Sequence, residues 1–168
     1  MIRLLGAALL LLGALLAGQA LTGLLRRKRA VLRELRGFVE TLQAELLQWG
    51  TPLPELFARQ ADRQGLLWEP IRDCGKALAR GVPADRAMEP LLETLKTGEA
   101  LPEAAAALGE LSRALGKYDA GTQAERCLQT CARLEEQEKQ LWTTLTEKGR
   151  LYRALSFSAG AVLALMLW

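Results

Sequence analysis

Histidine is absent from the 168 residues of this chain. That removes the commonest general base, and with it the Ser-His and Cys-His nucleophile pairs. Phosphate-cradling loops are missing too, since neither GxxxxGK[ST] nor GxGxxG occurs. There are 3 cysteines, Cys74, Cys127 and Cys131. An odd number without framework spacing argues against a disulfide scaffold. Cys127 and Cys131 share a helix face, but no histidine or further cysteine pair completes a metal site, so they read as small buried apolar residues. Aromatic residues make up 5%, and nowhere do β-branched and aromatic residues alternate long enough to suggest a strand. Acidic residues are isolated or, as at Glu135, Glu136 and Glu138, crowded on a charged run that reads as a solvated helix face. These absences point away from an enzyme, a cofactor or a metal. They favour an all-α protein that works by contact.

What is present is segregated. Half of the residues are apolar and 24% are charged, yet residues 4–25 carry no charge. As a helix those positions span roughly 33 Å, enough to cross a bilayer core. Residues 154–168 are also uncharged but span only about 22 Å, short of the ~30 Å core. Arg26, Arg27, Lys28 and Arg29 follow the first run, with Arg33 and Arg36 behind them. Lys148, Arg150 and Arg153 precede the second. Basic residues on the inner flank of both runs place the middle of the chain in the cytoplasm. A nucleic-acid patch explains the position of "RRKR" less well than a membrane edge does. The organisation that follows is an N-terminal anchor, residues 1–25, a cytoplasmic helical domain, residues 26–153, and a C-terminal transmembrane or partly inserted helix, residues 154–168. One rival is an exported helical protein, cleaved after Ala20 by the small-residue rule. Another is a simple membrane-tethered spacer.

Between the two runs the pattern predicts a bundle of about six helices. The first continues from the anchor, with Val31, Leu35, Phe38, Leu42, Leu46 and Trp49 as its apolar stripe, broadened by Leu32 and Val39. "WGTPLPELF" then forms a tight joint, in which Thr51 is positioned to cap the next helix and Pro52 to occupy its first position. That helix covers residues 52–64, with Leu53, Leu56, Phe57 and Gln60/Ala61 inward. A third ends at Gly81. A fourth contains Pro90, which predicts a kink or break. A fifth starts near Pro102 and ends at Gly116, with Leu101, Ala105, Leu108, Leu111 and Leu115 inward. Asp119 caps a sixth that runs unbroken into the second apolar run, with Leu128, Cys131, Leu134, Leu141 and Leu145 on one side.

Four pieces of the chain, in order, resemble the stage III sporulation protein AB family of endospore-forming bacteria. They are "LLGAALLLLGALLAGQA", with Gly6 and Gly18; the joint, with Glu45, Thr51, Pro52, Leu53, Pro54 and Phe57; "LGKYDAGTQAERCLQ", with Leu115, Gly116, Asp119 and Gln123; and "KGRLYRALSFSAGAVLAL", with Lys148, Leu155, Phe157, Ala159 and Gly160. Two positions depart. The aromatic usual three residues after the glutamate is Gln48 here, with Trp49 beside it, and a usual glycine near the second anchor is Ser156. The resemblance implies a non-catalytic component of a secretion-like complex between mother cell and forespore. It also implies kinship with the inner-membrane platform protein of type II secretion and type IV pilus machines. The implied partners are the AA-type ATPase and other membrane components of the same complex, on the mother-cell side of the membrane. Glu45, Thr51, Pro52, Leu53, Pro54, Phe57, Asp119 and Gln123 are the candidate structural or interaction residues, and a second copy of the chain stays among the admissible partners.

Overall fold

Each break in the helical path falls where proline or glycine makes continuation costly. The computed structural model describes the backbone of residues 2–48, 51–62 and 65–167, and the side chains of residues 23–48, 51–62, 65–144 and 146. The first helix, α1, runs Ile2–Gln48 without interruption. Next come α2, Leu53–Ala61, and α3, Trp68–Ala79. After α3 the chain turns at Gly81, whose φ of 80° suits a residue without a Cβ. The Gly81 N–H donates to the Leu78 carbonyl and the Val82 N–H to the Ala77 carbonyl, closing the helix end as a Schellman turn.

The expected disruption around Pro90 is a true break. Short helices α4, Ala84–Ala87, and α5, Glu89–Glu93, meet at the fully buried Met88, with Pro90 in the first turn of α5. A π-helical turn, Thr94–Gly98, follows. Helix α6, Pro102–Ala114, ends before Gly116, whose φ is 76°. Helix α7, Ala120–Leu167, is continuous. The described residues therefore form seven α-helices and one π-helical turn, against the six helices expected between the ends, and contain no strand. The region read as one fourth helix is three pieces.

The chain divides into two compact units, Met1–Arg27 with Lys139–Trp168, and Lys28–Glu138. In the second, Val31, Leu32, Leu35, Phe38, Val39 and Leu42 of α1 are all buried, as the spacing predicts, while Leu46 is half-buried. They share a core with Phe57, Leu67, Met88, Leu91, Leu95, Leu108, Leu111 and Leu134. Phe38 and Phe57 meet edge to face, with centroids 5.0 Å apart. Gly75 brings α3 close to α2, because a Cβ there would stand 3.1 Å from the Phe57 Cβ. Among the described residues no helix is long and apolar enough to cross a membrane. The two runs on which membrane insertion was argued, residues 4–22 of the first and 154–168 of the second, lie outside the residues whose side chains are described, as does Trp49.

Three expectations are corrected. Thr51 does not cap α2: Pro52 takes the cap position with ψ 135°, and its carbonyl accepts the Glu55 and Leu56 N–H groups. Leu128 is not on the inner face of α7 but 57% exposed. The buried line runs through Ala124, Cys127, Thr130, Leu134 and Glu138, and Leu128 stands about 100° off Cys127. Glu138, placed on a solvated face by its charged neighbours, is instead only 9% exposed.

Candidate functional site

The joint between α1 and α2 gathers six of the eight sequence candidates. The Thr51 hydroxyl donates to Glu45 Oε2 at 2.8 Å, and Arg59 Nη1 reaches Glu45 Oε1 at 3.3 Å. Arg59 also bridges to Glu55 at 2.9 Å. Glu45, four-fifths shielded, thus ties the end of α1 to the start of α2. Pro52 restricts the chain between them, and it also biases Thr51 toward extended backbone. Leu53 and Pro54 are half-buried, and Phe57 is fully buried against Phe38. The threonine does serve the joint, but as a hydrogen-bond donor to a carboxylate.

The other two candidates build the corner between α6 and α7. Asp119 Oδ2 accepts the Thr122 N–H at 3.0 Å, and Oδ1 accepts the Thr122 hydroxyl at 2.7 Å. That is the predicted N-cap. The bonds from Thr122 hold the Asp119 carboxyl below the usual carboxylate range. Gln123 clamps the preceding turn at two points. Its Oε1 accepts the Gly116 N–H at 3.3 Å, and its Nε2 donates to the Tyr118 carbonyl. Among the described residues no hydrogen bond or ion pair joins this corner to the α1–α2 joint.

Two clusters escaped the sequence reading. Glu34 of α1 reaches across to the start of α3, where Oε2 accepts the Leu66 N–H at 2.6 Å and Oε1 the Leu67 N–H at 2.9 Å. A carboxylate from a distant helix thereby does the work of a local cap. Gly65 leaves room for it, since a Cβ at that position would collide with the Glu34 carboxylate. The second cluster surrounds Glu138. Arg29 Nε lies 3.0 Å and Arg33 Nη2 3.3 Å from Oε1, with Arg36 Nη1 3.5 Å from Oε2. Arg36 also pairs with Glu40 at 3.2 Å. Partial burial works to raise the Glu138 pKa, but the hydrogen bonds and charges of Arg29 and Arg33 override it. The carboxyl stays below its ordinary range. Three of the six basic residues following the first apolar run are therefore committed to a folded ion cluster. A signal for it was present: Arg29, Arg33 and Arg36 follow i, i+4, i+7 spacing, and Glu138 lies four residues beyond the core residue Leu134.

None of this arrangement is poised for catalysis. Burial pushes the Cys74 thiol up to about 11, Cys127 to about 12 and Cys131 to about 11, so all three remain protonated and unreactive at neutral pH. Among the described residues no group of His, Cys, Asp or Glu could hold a metal ion. What the two corners can do is fix rigid turns on the surface of a helical unit. No match was found among curated proteins or among solved structures. The family model described as stage III sporulation protein AB matches residues 3–168, and the chain belongs to that family.

Proposed function

We propose that this protein is a membrane-anchored, non-catalytic component of the sporulation complex between mother cell and forespore. In this reading it serves as platform and adaptor for the AA-type ATPase of that complex and for its other membrane components. Family membership across residues 3–168, both apolar runs included, carries the reading. Supporting it, the two ends belong to one compact unit, as side-by-side insertion in one membrane requires. The basic residues flanking the runs favour a cytoplasmic centre. A histidine-free, helical unit suits an adaptor.

Within this reading, the joint held by Glu45, Thr51, Pro52 and Pro54 sets the angle at which α2 leaves α1, and so where a binding face is presented. Two measurements test the proposal. Full-length protein in sporulating cells should resist alkaline washing of membranes, require detergent for release and co-purify with the ATPase. Release without detergent refutes anchoring, and intact sporulation without ATPase association refutes the adaptor role. For the joint, a folded Pro52→Ala, Pro54→Ala double variant should lose ATPase association. If association persists, the joint is a turn only.

A further inference from the structure

Tyr118 stands on the most firmly held turn of the α6–α7 corner, yet it is 57% exposed. Its backbone is fixed from both sides. Gln123 holds the Tyr118 carbonyl and the Gly116 N–H, and Asp119 caps the helix that begins at Ala120. A pinned aromatic with an open ring is an anchor that loses little freedom on binding. Beside it is a pocket of about 210 Å³, lined by Tyr118, Glu110, Arg113, Ala114 and Arg126. Its charges do not balance internally. Glu110 is taken by Arg133 at 2.6 Å. Among the described residues neither Arg113 nor Arg126 meets a carboxylate; the Arg113 Nε bonds only the Gly109 carbonyl, at 3.2 Å.

We propose that this corner is a docking site for an acidic segment of a partner protein, whose carboxylates pair with Arg113 and Arg126 while an apolar neighbour packs on Tyr118. Guanidinium groups bind carboxylates through paired, charge-assisted bonds, and Tyr and Arg are both enriched at the energetic centres of interfaces. The adjoining groove, which Arg113 also lines, suits an acidic segment less, because it carries carboxylates of its own in Asp85, Glu89 and Glu93. Within the Lys28–Glu138 unit, Asp119, at the cap of α7, and Glu138 are 19 positions apart, so the corner stands roughly 28 Å along the helix from Glu138. The inference rests on the adaptor reading and assigns that role a place: Asp119 and Gln123 shape the turn, and Tyr118 makes the contact.

The test uses full-length protein in dodecyl maltoside micelles. The probe is a fluorescein-labelled peptide of glutamates flanking a Leu-Trp pair, read by anisotropy, with a lysine-for-glutamate peptide as control. Saturable binding of the acidic peptide alone is expected. It should weaken about tenfold or more in Tyr118→Ala and in the Arg113→Ala, Arg126→Ala double variant, but not in Arg80→Ala. All four side chains are exposed, so the fold should persist, as circular dichroism would verify. Absent binding, equal binding of the lysine peptide, or unchanged binding in the variants overturns the proposal. So does displacement of the peptide by phosphatidylglycerol as readily as by unlabelled peptide, which would make the corner a lipid site. A dimer seen by sedimentation and broken by Tyr118→Ala would make it a self-interface, also against the proposal. These outcomes are separable from failure of the adaptor reading, which membrane retention and ATPase association decide without the peptide.

Discussion

Replacing Glu138 by glutamine keeps the shape of the side chain and removes its charge, leaving Arg29 and Arg33 facing a neutral amide. The three contacts are unequal. Arg29 approaches at 3.0 Å with a side chain 30% exposed, and this bond should contribute about 1–1.5 kcal/mol. Arg33 sits at 3.3 Å but is 62% exposed, which limits it to about 0.5 kcal/mol. Arg36, at 3.5 Å, keeps Glu40 after the substitution and loses at most about 0.5 kcal/mol. The expected loss is therefore about 2 kcal/mol, below the ~3–5 kcal/mol of breaking a fully buried pair, because water reaches all three guanidinium groups. Urea unfolding of the full-length protein in mild detergent, followed by tryptophan fluorescence, should show the midpoint falling by about 1 M. Arg29→Ala should account for most of the loss, and Arg33→Ala for little. The pH dependence follows in sign. The Glu138 pKa is lowered in the folded state by Arg29 and Arg33, so its contribution is complete above the unfolded-state value and disappears as pH falls through the folded one. The gap between wild type and Glu138→Gln should narrow as pH falls below the ordinary glutamate range and close once the folded-state carboxyl is protonated. A variant within about 0.5 kcal/mol of wild type at neutral pH, or equal costs for Arg29→Ala and Arg33→Ala, would refute the reasoning.

Gly65→Ala should cost about 1–2 kcal/mol in the same assay, because the new methyl displaces the Glu34 carboxylate from the Leu66 and Leu67 N–H groups; Glu34→Gln should cost less, and if Gly65→Ala is neutral the carboxylate is not acting as a cap. Asp119→Ala should lower the urea midpoint through the lost Thr122 bonds, with loss of assembly in a still-folded variant pointing to a contact beyond capping. Phe57→Ala should cost about 3–5 kcal/mol, and a cycle with Phe38→Ala should show a coupling of about 0.5–1.5 kcal/mol; purely additive losses would mean that the edge-to-face pair adds nothing beyond burial. Maleimide labelling of Cys74 and Cys127 at neutral pH should be slow in the folded protein and fast in urea, and rapid labelling of the native chain would contradict their burial.

The features legible in the chain are those decided within a few residues. Gly81 and Gly116 end helices because positive φ is cheap for glycine, Asp119 starts one because its carboxylate lies beside free N–H groups, and Pro90 opens a break. The apolar stripe of α1 was equally plain, since six of its seven described positions are buried. Contacts between helices were not legible. Glu34 and Leu67 are 33 positions apart, and Arg29 and Glu138 109 apart. The charged run by itself does not tell its carboxylates apart; only the place of Glu138 four residues beyond Leu134 marks it as inward. Glu135 and Glu136 flank Glu138 in one charged run, yet both are exposed and only Glu138 is on the inner face. Thr51 misled for a related reason. Its side chain suits a cap, but Glu45, six residues back, offers a charged acceptor, and α2 begins one residue later around Pro52.

The Glu138 cluster bears on how basic residues near an apolar run should be counted. Arg29, Arg33 and Arg36 entered the orientation argument as a membrane-edge charge, and in the folded unit all three bond one carboxylate. The two uses do not compete. Orientation is decided as the chain inserts, when acidic residues weigh little and the ion cluster has not formed. Glu138 follows Arg29 by 109 positions and reaches it only after the intervening helices fold. Under the proposed topology the same arginines act twice, first holding the centre of the chain in the cytoplasm and then joining α1 to α7 within the Lys28–Glu138 unit. Glu138→Gln should therefore weaken the folded unit and leave orientation unchanged. Removing all three arginines should weaken the unit and also reduce the positive charge beside the first apolar run to Arg26, Arg27 and Lys28. Protease accessibility of the central region in intact cells, compared between these two variants, separates the roles; a change of orientation in Glu138→Gln would show that the pairing, and not the charge, governs insertion.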